Sequence, residues 1–129
     1  MRRNIGGSSP WEAVVGSSRA VRVGNVVHVA GTTATVDGEV VAVGDAYGQT
    51  RAAPEIVAWA LREAEAGLEH VVRTRLFVTD IGRCEAVGRA HGEVFGTIRP
   101  AASLVQGAAL IDPRHLVEIE AEAIVPEGA

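Results

Sequence analysis

Residues 71–80 read VVRTRLFVTD, and their alternation sets the fold. Val72, Thr74, Leu76 and Val78 point one way and Arg73, Arg75 and Phe77 the other, the two-residue period of a β-strand. The flanking stretches have a different period. Over residues 47–67 and just beyond, Ala53, Ile56, Val57, Ala60, Leu61, Ala64 and Leu68 recur at steps of three and four, which places them on one helical face. Pro54 lies inside this pattern and lacks an amide hydrogen, so the helix is expected to begin near Ala53 or to kink there. Gly67 is the expected stop. Downstream, a second helix is expected over residues 83–95, with Val87, His91, Val94 and Phe95 as its inner stripe. Gly88 and Gly92, four apart, point to close packing against a neighbour rather than to intrinsic helix strength.

Farther out, residues 19–24 (RAVRVG) and 26–31 (VVHVAG) are β-branched and alternating, and Gly24-Asn25 between them is a hairpin turn signal. Asp37-Gly38 marks a further turn before an expected strand at residues 39–43, which Gly44-Asp45 ends. At the other end, strands are expected over residues 101–110 and 116–125, with Pro113 in their connection. The resulting order is β-β-β-α-β-α-β-β. Helices covering one face of a mixed sheet give a two-layer α+β domain. The other sheet face is expected to present several apolar side chains, and hence to associate.

The 129 residues fit a single domain spanning 1–129, of which residues 1–8 are expected to be flexible. Hydrophobic residues make up 47%, enough for a core without disulfides or metal. The formal net charge is -4 and the basic residues are scattered, which argues against nucleic-acid binding. No apolar run approaches the roughly 20 residues of a membrane span, and the start lacks the apolar segment of a secretory signal. A cytoplasmic protein without membrane association is expected. Cys84 is the only cysteine, so neither a disulfide framework nor a cysteine-rich metal site can form within the chain. All 12 basic residues are arginine, which excludes Schiff-base chemistry through lysine.

Three segments carry a family resemblance: residues 8–34, SSPWEAVVGSSRAVRVGNVVHVAGTTA; VVRTRLFVTDI followed by VGRAHGEVFG; and RPAASLVQGAAL followed by LVEIEAEAIV. The last is the most specific, with the pair Pro100-Ala101, a strand, a short loop and a strand containing Glu118-Ile119-Glu120. In this order and spacing the chain resembles the Rid family (reactive intermediate deaminase, also called YjgF or L-PSP). The resemblance implies a chorismate-mutase-like fold and a homotrimer with a small-molecule cleft at each subunit interface. It implies hydrolysis of enamines and imines to ketoacids and ammonia, with no metal or organic cofactor. Some members do not deaminate, and several have been called endoribonucleases or translation inhibitors.

Carried over by position, the family's deaminase site is sparsely kept. The carboxylate-binding arginine that follows the Pro-Ala pair is replaced by Ala102. Ser17 stands for a tyrosine, Gly88 roughly for an asparagine of the second helix, and Leu104 for a cysteine. The glutamate of the last strand, thought to position or activate the hydrolytic water, is kept as Glu118. On pattern alone Glu118 is a surface residue sharing one strand face with Glu120 and Glu122. Three such charges repel unless arginines sit opposite, and Arg73 and Arg75 are the candidates. Losing the arginine's charge-assisted contact removes roughly 1.5–3 kcal/mol from binding of an anionic substrate, so a bulkier or more neutral substrate is the simplest expectation.

Arg99 could return the missing charge, or be a solvated loop residue. His91 could donate a proton, or pack within its apolar stripe. Trp11 could close the cleft with its ring, or staple the chain start. His28 reads as structural and Cys84 as a bystander near a helix start. The function expected is a divergent imine- or enamine-processing enzyme with Glu118 catalytic and Ser17, Ala102, Arg99, Trp11 and His91 around the substrate. The alternative is a non-catalytic binding or sensing protein. Ribonuclease action fits the acidic charge and scattered histidines least.

Overall fold

The computed structural model describes residues 1–127. Strand β1 (Arg2–Ile5) and the short helix α1 (Trp11–Val15) precede a hairpin of β2 (Ala20–Val23) and β3 (Val26–Thr32). Gly24 turns this hairpin with φ 59°, the left-handed backbone that glycine adopts without strain. A small hairpin follows, β4 (Thr35–Val36) and β5 (Glu39–Val40), turned by Asp37 and Gly38 at φ 52° and 80°. Then come α2 (Ala46–Glu63), β6 (Val71–Val78), α3 (Cys84–Phe95), β7 (Ala101–Gln106) and β8 (Val117–Ile124).

Six strands form one sheet in the order β1-β2-β3-β8-β6-β7. Only β6 and β7 are parallel, because α3 carries the chain back over the sheet between them. The last strand, β8, lies between β3 and β6 and pairs with both. This is the expected mixed α+β fold, with helices over one face.

The alternation of β8 divides that sheet cleanly. Val117, Ile119, Ala121 and Ala123 are buried under the helices, while Glu118, Glu120 and Glu122 lie on the opposite face. The helices close the core with Ala53, Val57, Ala60 and Leu61 from α2 and with Val87, Ala90 and Phe95 from α3. Burying a side chain such as Leu61 contributes about 1.5–3 kcal/mol relative to leaving it in water. A buried glutamine ties α2 to the sheet: the Leu116 amide donates to Gln49 Oε1 at 2.7 Å, and Gln49 Nε2 donates to the Arg114 carbonyl at 2.9 Å. This pins the chain two residues before Glu118.

Several expectations are corrected. The opening residues, expected to be flexible, include a paired strand: β1 lies antiparallel to β2, with Arg2 opposite Val23 and Ile5 opposite Ala20. Helix α2 begins about two turns earlier than Pro54 indicated. Asp45 caps it by accepting from the Gly48 amide at 2.9 Å, and Pro54 is simply buried inside it. It also ends before Gly67, where Glu65 rather than the glycine takes a left-handed backbone, φ 61°. The strand expected at 39–43 shrinks to Glu39–Val40, and that at 101–110 to Ala101–Gln106.

A register shift between Val71 and Arg73 buries Val71 and turns Val72 outward. Gly88 and Gly92 face open space, since a Cβ at either would meet nothing within 4 Å. They do not mark close helix packing. The outer sheet face is also less apolar than expected, because its centre carries Arg73, Arg75, Glu118, Glu120 and Glu122.

Candidate functional site

Two regions collect part of the residues singled out from the sequence, and they lie on opposite faces of the sheet. The first surrounds Glu118. Its side chain lies over Gly31, where a Cβ would come within 2.5 Å of Glu118 Oε2 and 2.8 Å of its Cδ. Only glycine leaves room for the carboxylate there. Arg19 flanks it. One guanidinium nitrogen of Arg19 donates to the carbonyls of Ala30 and Gly31, each at 2.7 Å, and its Nε is buried with no partner among the described residues. Burial lowers the Arg19 pKa against the opposing pull of Glu12 and Glu118.

The three glutamates of β8 are not equivalent. Arg75 contacts Glu120 at 3.6 Å and Glu122 at 3.3 Å. Glu118 sits in register with Phe77 and has no ion pair among the described residues. Its carboxyl is partly buried, and its pKa is raised. Desolvation is the main cause, Glu120 adds to it, and Arg19 works against it. Of the two expected arginine partners, Arg75 alone pairs with glutamates, and it serves the other two carboxylates. Arg73 instead donates to the Ser103 hydroxyl at 3.0 Å.

The second region is a cavity of about 160 Å³ between α3 and the edge strand β7, lined by Leu76, Gly88, His91, Ala102, Ser103 and Leu104. Ala102 pairs in register with the buried Thr74, so it belongs to the helix side of the sheet. His91 Nε2 lies 2.9 Å from Thr74 Oγ1, and its ring stands 4.7 Å from that of Phe95. Burial lowers the His91 pKa, so the imidazole is held neutral.

Within one chain, therefore, Glu118 does not share a cavity with Ala102. The strand beside Ala102 is β6, not β8. Ser17 lies in the exposed segment before β2, two residues from Arg19. Trp11 opens α1, a helix with no buried residue, and is 55% exposed beside Val14 at 77% and Val15 at 69%. Arg99 is exposed with a left-handed backbone, φ 57°, and is not among the residues lining the cavity. His28 is exposed in β3, in register with Glu122. Cys84 is exposed at the start of α3.

Among the described residues no group of three or more His, Cys, Asp or Glu is placed to hold a metal ion, and no helix is long and apolar enough to cross a membrane. The sequence reading passed over Arg19, Gly31, Gln49 and Thr74. Of these only Gly31, a glycine closing an alternating strand, carried a local signal of close approach.

Residues 8–125 match the family described as Endoribonuclease L-PSP. An uncharacterized protein of Streptomyces coelicolor is 41% identical over 121 residues, 94% of this chain and 90% of that one. The 3-aminoacrylate deaminase RutC of Acinetobacter baylyi is 34% identical over 107 residues, 82% of this chain and 84% of the relative. A crystal structure from Mycobacterium tuberculosis, of a member of the YjgF/YER057c/UK114 family, superposes with a TM-score of 0.88 at 48% identity, covering 97% of this chain and all of that one. Fold and these likenesses agree, and the chain belongs to the Rid (YjgF, L-PSP) family.

Proposed function

We propose that this chain is a divergent Rid-type enzyme that hydrolyses, or otherwise processes, a reactive imine or enamine in a cleft between the subunits of a homotrimer. The observation that carries the reading is Glu118. It alone of the β8 glutamates has no arginine ion pair among the described residues, and desolvation raises its pKa toward the range useful to a general acid or base. The separation of the two regions supports an inter-subunit cleft. The Glu118 region and the open, uncharged Ala102 cavity lie on opposite sheet faces of one chain, and a second copy would bring them together.

The chemistry assigned to Glu118 is that of imine hydrolysis. Glu118 takes a proton from water as the oxygen adds to the imine carbon, while the imine nitrogen is protonated. Glu118 then returns its proton to the amine nitrogen of the tetrahedral adduct and ammonia leaves as the carbonyl forms, the hydroxyl proton passing to solvent, which had supplied the proton on the imine nitrogen. Ala102 supplies no charge for a substrate carboxylate, which favours a neutral substrate. The RutC relative, named for deamination of 3-aminoacrylate, supports the enamine class.

The absence of any charged side chain from the cavity lining favours one alternative, a non-catalytic protein of the same fold that binds or senses a small molecule. Ammonia release from 2-iminopropanamide generated in situ separates the two. The enzyme reading requires turnover that Glu118→Gln abolishes and Glu120→Gln retains. Absence of turnover, or turnover indifferent to Glu118→Gln, overturns it.

A further inference from the structure

We infer that His91, fixed by Thr74, is the specificity-determining hydrogen-bond donor of the Ala102 cavity, and that it selects a neutral ligand carrying an acceptor such as a carbonyl or amide oxygen. This rests on the reading of that cavity as half of the ligand cleft.

The argument begins with a buried hydroxyl. Thr74 is 0% exposed, and its Oγ1 makes one hydrogen bond among the described residues, to His91 Nε2 at 2.9 Å. A threonine hydroxyl has one proton to place. If Nε2 carried the ring hydrogen, Thr74 would accept and its own O–H would be left buried without an acceptor, which costs free energy. The satisfied arrangement has Thr74 donating to Nε2. A neutral imidazole then carries its hydrogen on Nδ1.

Nδ1 makes no hydrogen bond among the described residues, nor is it among the buried atoms that lack a partner. It is therefore accessible, on a side chain that lines the cavity. The other walls are Leu76, Leu104, Ala102 and Gly88, with Ser103, whose side chain is in register with Arg75 and so belongs to the opposite sheet face. Gly88 leaves the helix side open. Thus the cavity offers one uncharged N–H and otherwise apolar surface.

No charged group adds to the effect of burial on His91. The elements packed against it present Thr74 from β6 and Phe95 from its own helix, neither of which titrates. Nothing there favours the imidazolium that a carboxylate ligand would need. A carbonyl or amide oxygen is satisfied by the neutral donor alone, whereas a carboxylate would give up its hydration with no opposite charge in the lining to compensate.

The test uses isobutyramide and isobutyrate, which share a shape and differ in charge, with the full-length assembled protein. Binding is followed through the imidazole nitrogen signals of His91 by NMR. Before ligand is added, the spectrum should show Nδ1 protonated and Nε2 bare. Near neutral pH the amide should bind about tenfold more tightly than the carboxylate, and this preference should narrow as the pH falls and His91 becomes charged. His91→Phe should erase the preference, and His91→Asn, which keeps an N–H near the Nδ1 position, should restore most of it.

Equal or tighter isobutyrate binding near neutral pH overturns the inference. So does an amide preference that survives His91→Phe, or a His91 signal that neither ligand moves. The enzyme reading fails separately. His91-dependent amide binding with no hydrolysis of any imine sinks that reading and leaves this one. Efficient hydrolysis of 2-iminopropanoate through Glu118 does the reverse.

Discussion

Glu118 and His91 titrate in opposite senses from ordinary values, although burial is the leading cause for both. Desolvation disfavours whichever form is charged, so it keeps the proton on the carboxyl and off the imidazole. The Glu118 region faces outward, against Gly31 and Arg19, on a sheet face otherwise neutralised by Arg75. The His91 region lies under a helix beside an edge strand, with aliphatic walls. One holds a proton that can move, and the other holds a neutral shape. The desolvated carboxyl and the neutral imidazole thus lie on opposite faces and are positioned by different residues, so each can be altered without the other.

The largest expected effect strikes only the outward region. Glu118→Gln should lower turnover by about a hundredfold or more, the usual weight of a general acid–base group, while leaving ligand binding at His91 intact. It should also alter stability. The folded chain binds the Glu118 proton more tightly than the unfolded chain, so ionised Glu118 costs stability at neutral pH. The glutamine variant should therefore melt higher than the parent near neutrality. That advantage should vanish on acidification to the ordinary glutamate range. Thermal melts across pH check this, and a lower melting temperature near neutrality would contradict the assigned desolvation.

Gln49 tests how far the support of β8 matters to one region and not the other. Gln49→Leu leaves the Leu116 amide and the Arg114 carbonyl without these partners, at a cost of about 1–3 kcal/mol for each group that stays buried and unsatisfied. Denaturant unfolding measures the loss. Turnover should fall as well, since the strand carrying Glu118 is pinned there, whereas the His91 nitrogen signals should hardly move.

A smaller effect is expected from Arg75→Gln. Its two ion pairs are partly exposed, so stability should change by about 1 kcal/mol or less, and less still in high salt. The informative outcome is on the pH–rate profile. With Glu120 no longer paired, its charge should push the Glu118 pKa further up and move the acid limb of the profile toward neutrality. An unmoved limb would show that Glu118 is insulated from its neighbour.

The smallest effect belongs to His91. Its pKa is depressed in the fold, so its contribution to stability is present above the ordinary histidine range and is lost as pH falls through it. His91→Phe should flatten the melting-temperature slope on the acid side of neutrality. His115 has a lowered pKa for the same reason, and Thr35 contacts its ring nitrogen at 2.8 Å, so a residual slope should remain.

Strand phase and helical stripes were readable because burial on one face enforces them. β8 alternates as its sequence does, and the pairing of Glu120 and Glu122 with an arginine of β6 follows from charge repulsion alone. Boundaries were harder where a local signal competed with packing. Pro54 looked like a helix start, yet tertiary burial carries α2 through it, and the Asp45 cap was the truer signal. The site was legible only as separate residues. Nothing in residues 99–125 tells that β8 pairs with β6 and β3 rather than with β7, because that pairing is a matter of topology. Within one chain Glu118 and Ala102 lie on opposite sheet faces, so the interface cavity expected to hold both would have to draw them from two subunits. Arg19 and Thr74 read as ordinary members of alternating strands, since their meaning depends on Gly31 and His91, which are distant in sequence.

The most direct test of the account is subunit complementation. Glu118→Gln and Ala102→Trp proteins, each inactive on 2-iminopropanamide, are unfolded together in equal amounts, refolded and assayed for ammonia release. If the cleft takes Glu118 from one subunit and Ala102 from its neighbour, random trimers regain about a quarter of the parental sites, and ammonia release should recover to about that fraction. If both groups act within one chain, or if the two regions never meet, the mixture should stay as inactive as its components, and the account of a shared inter-subunit cleft would be wrong.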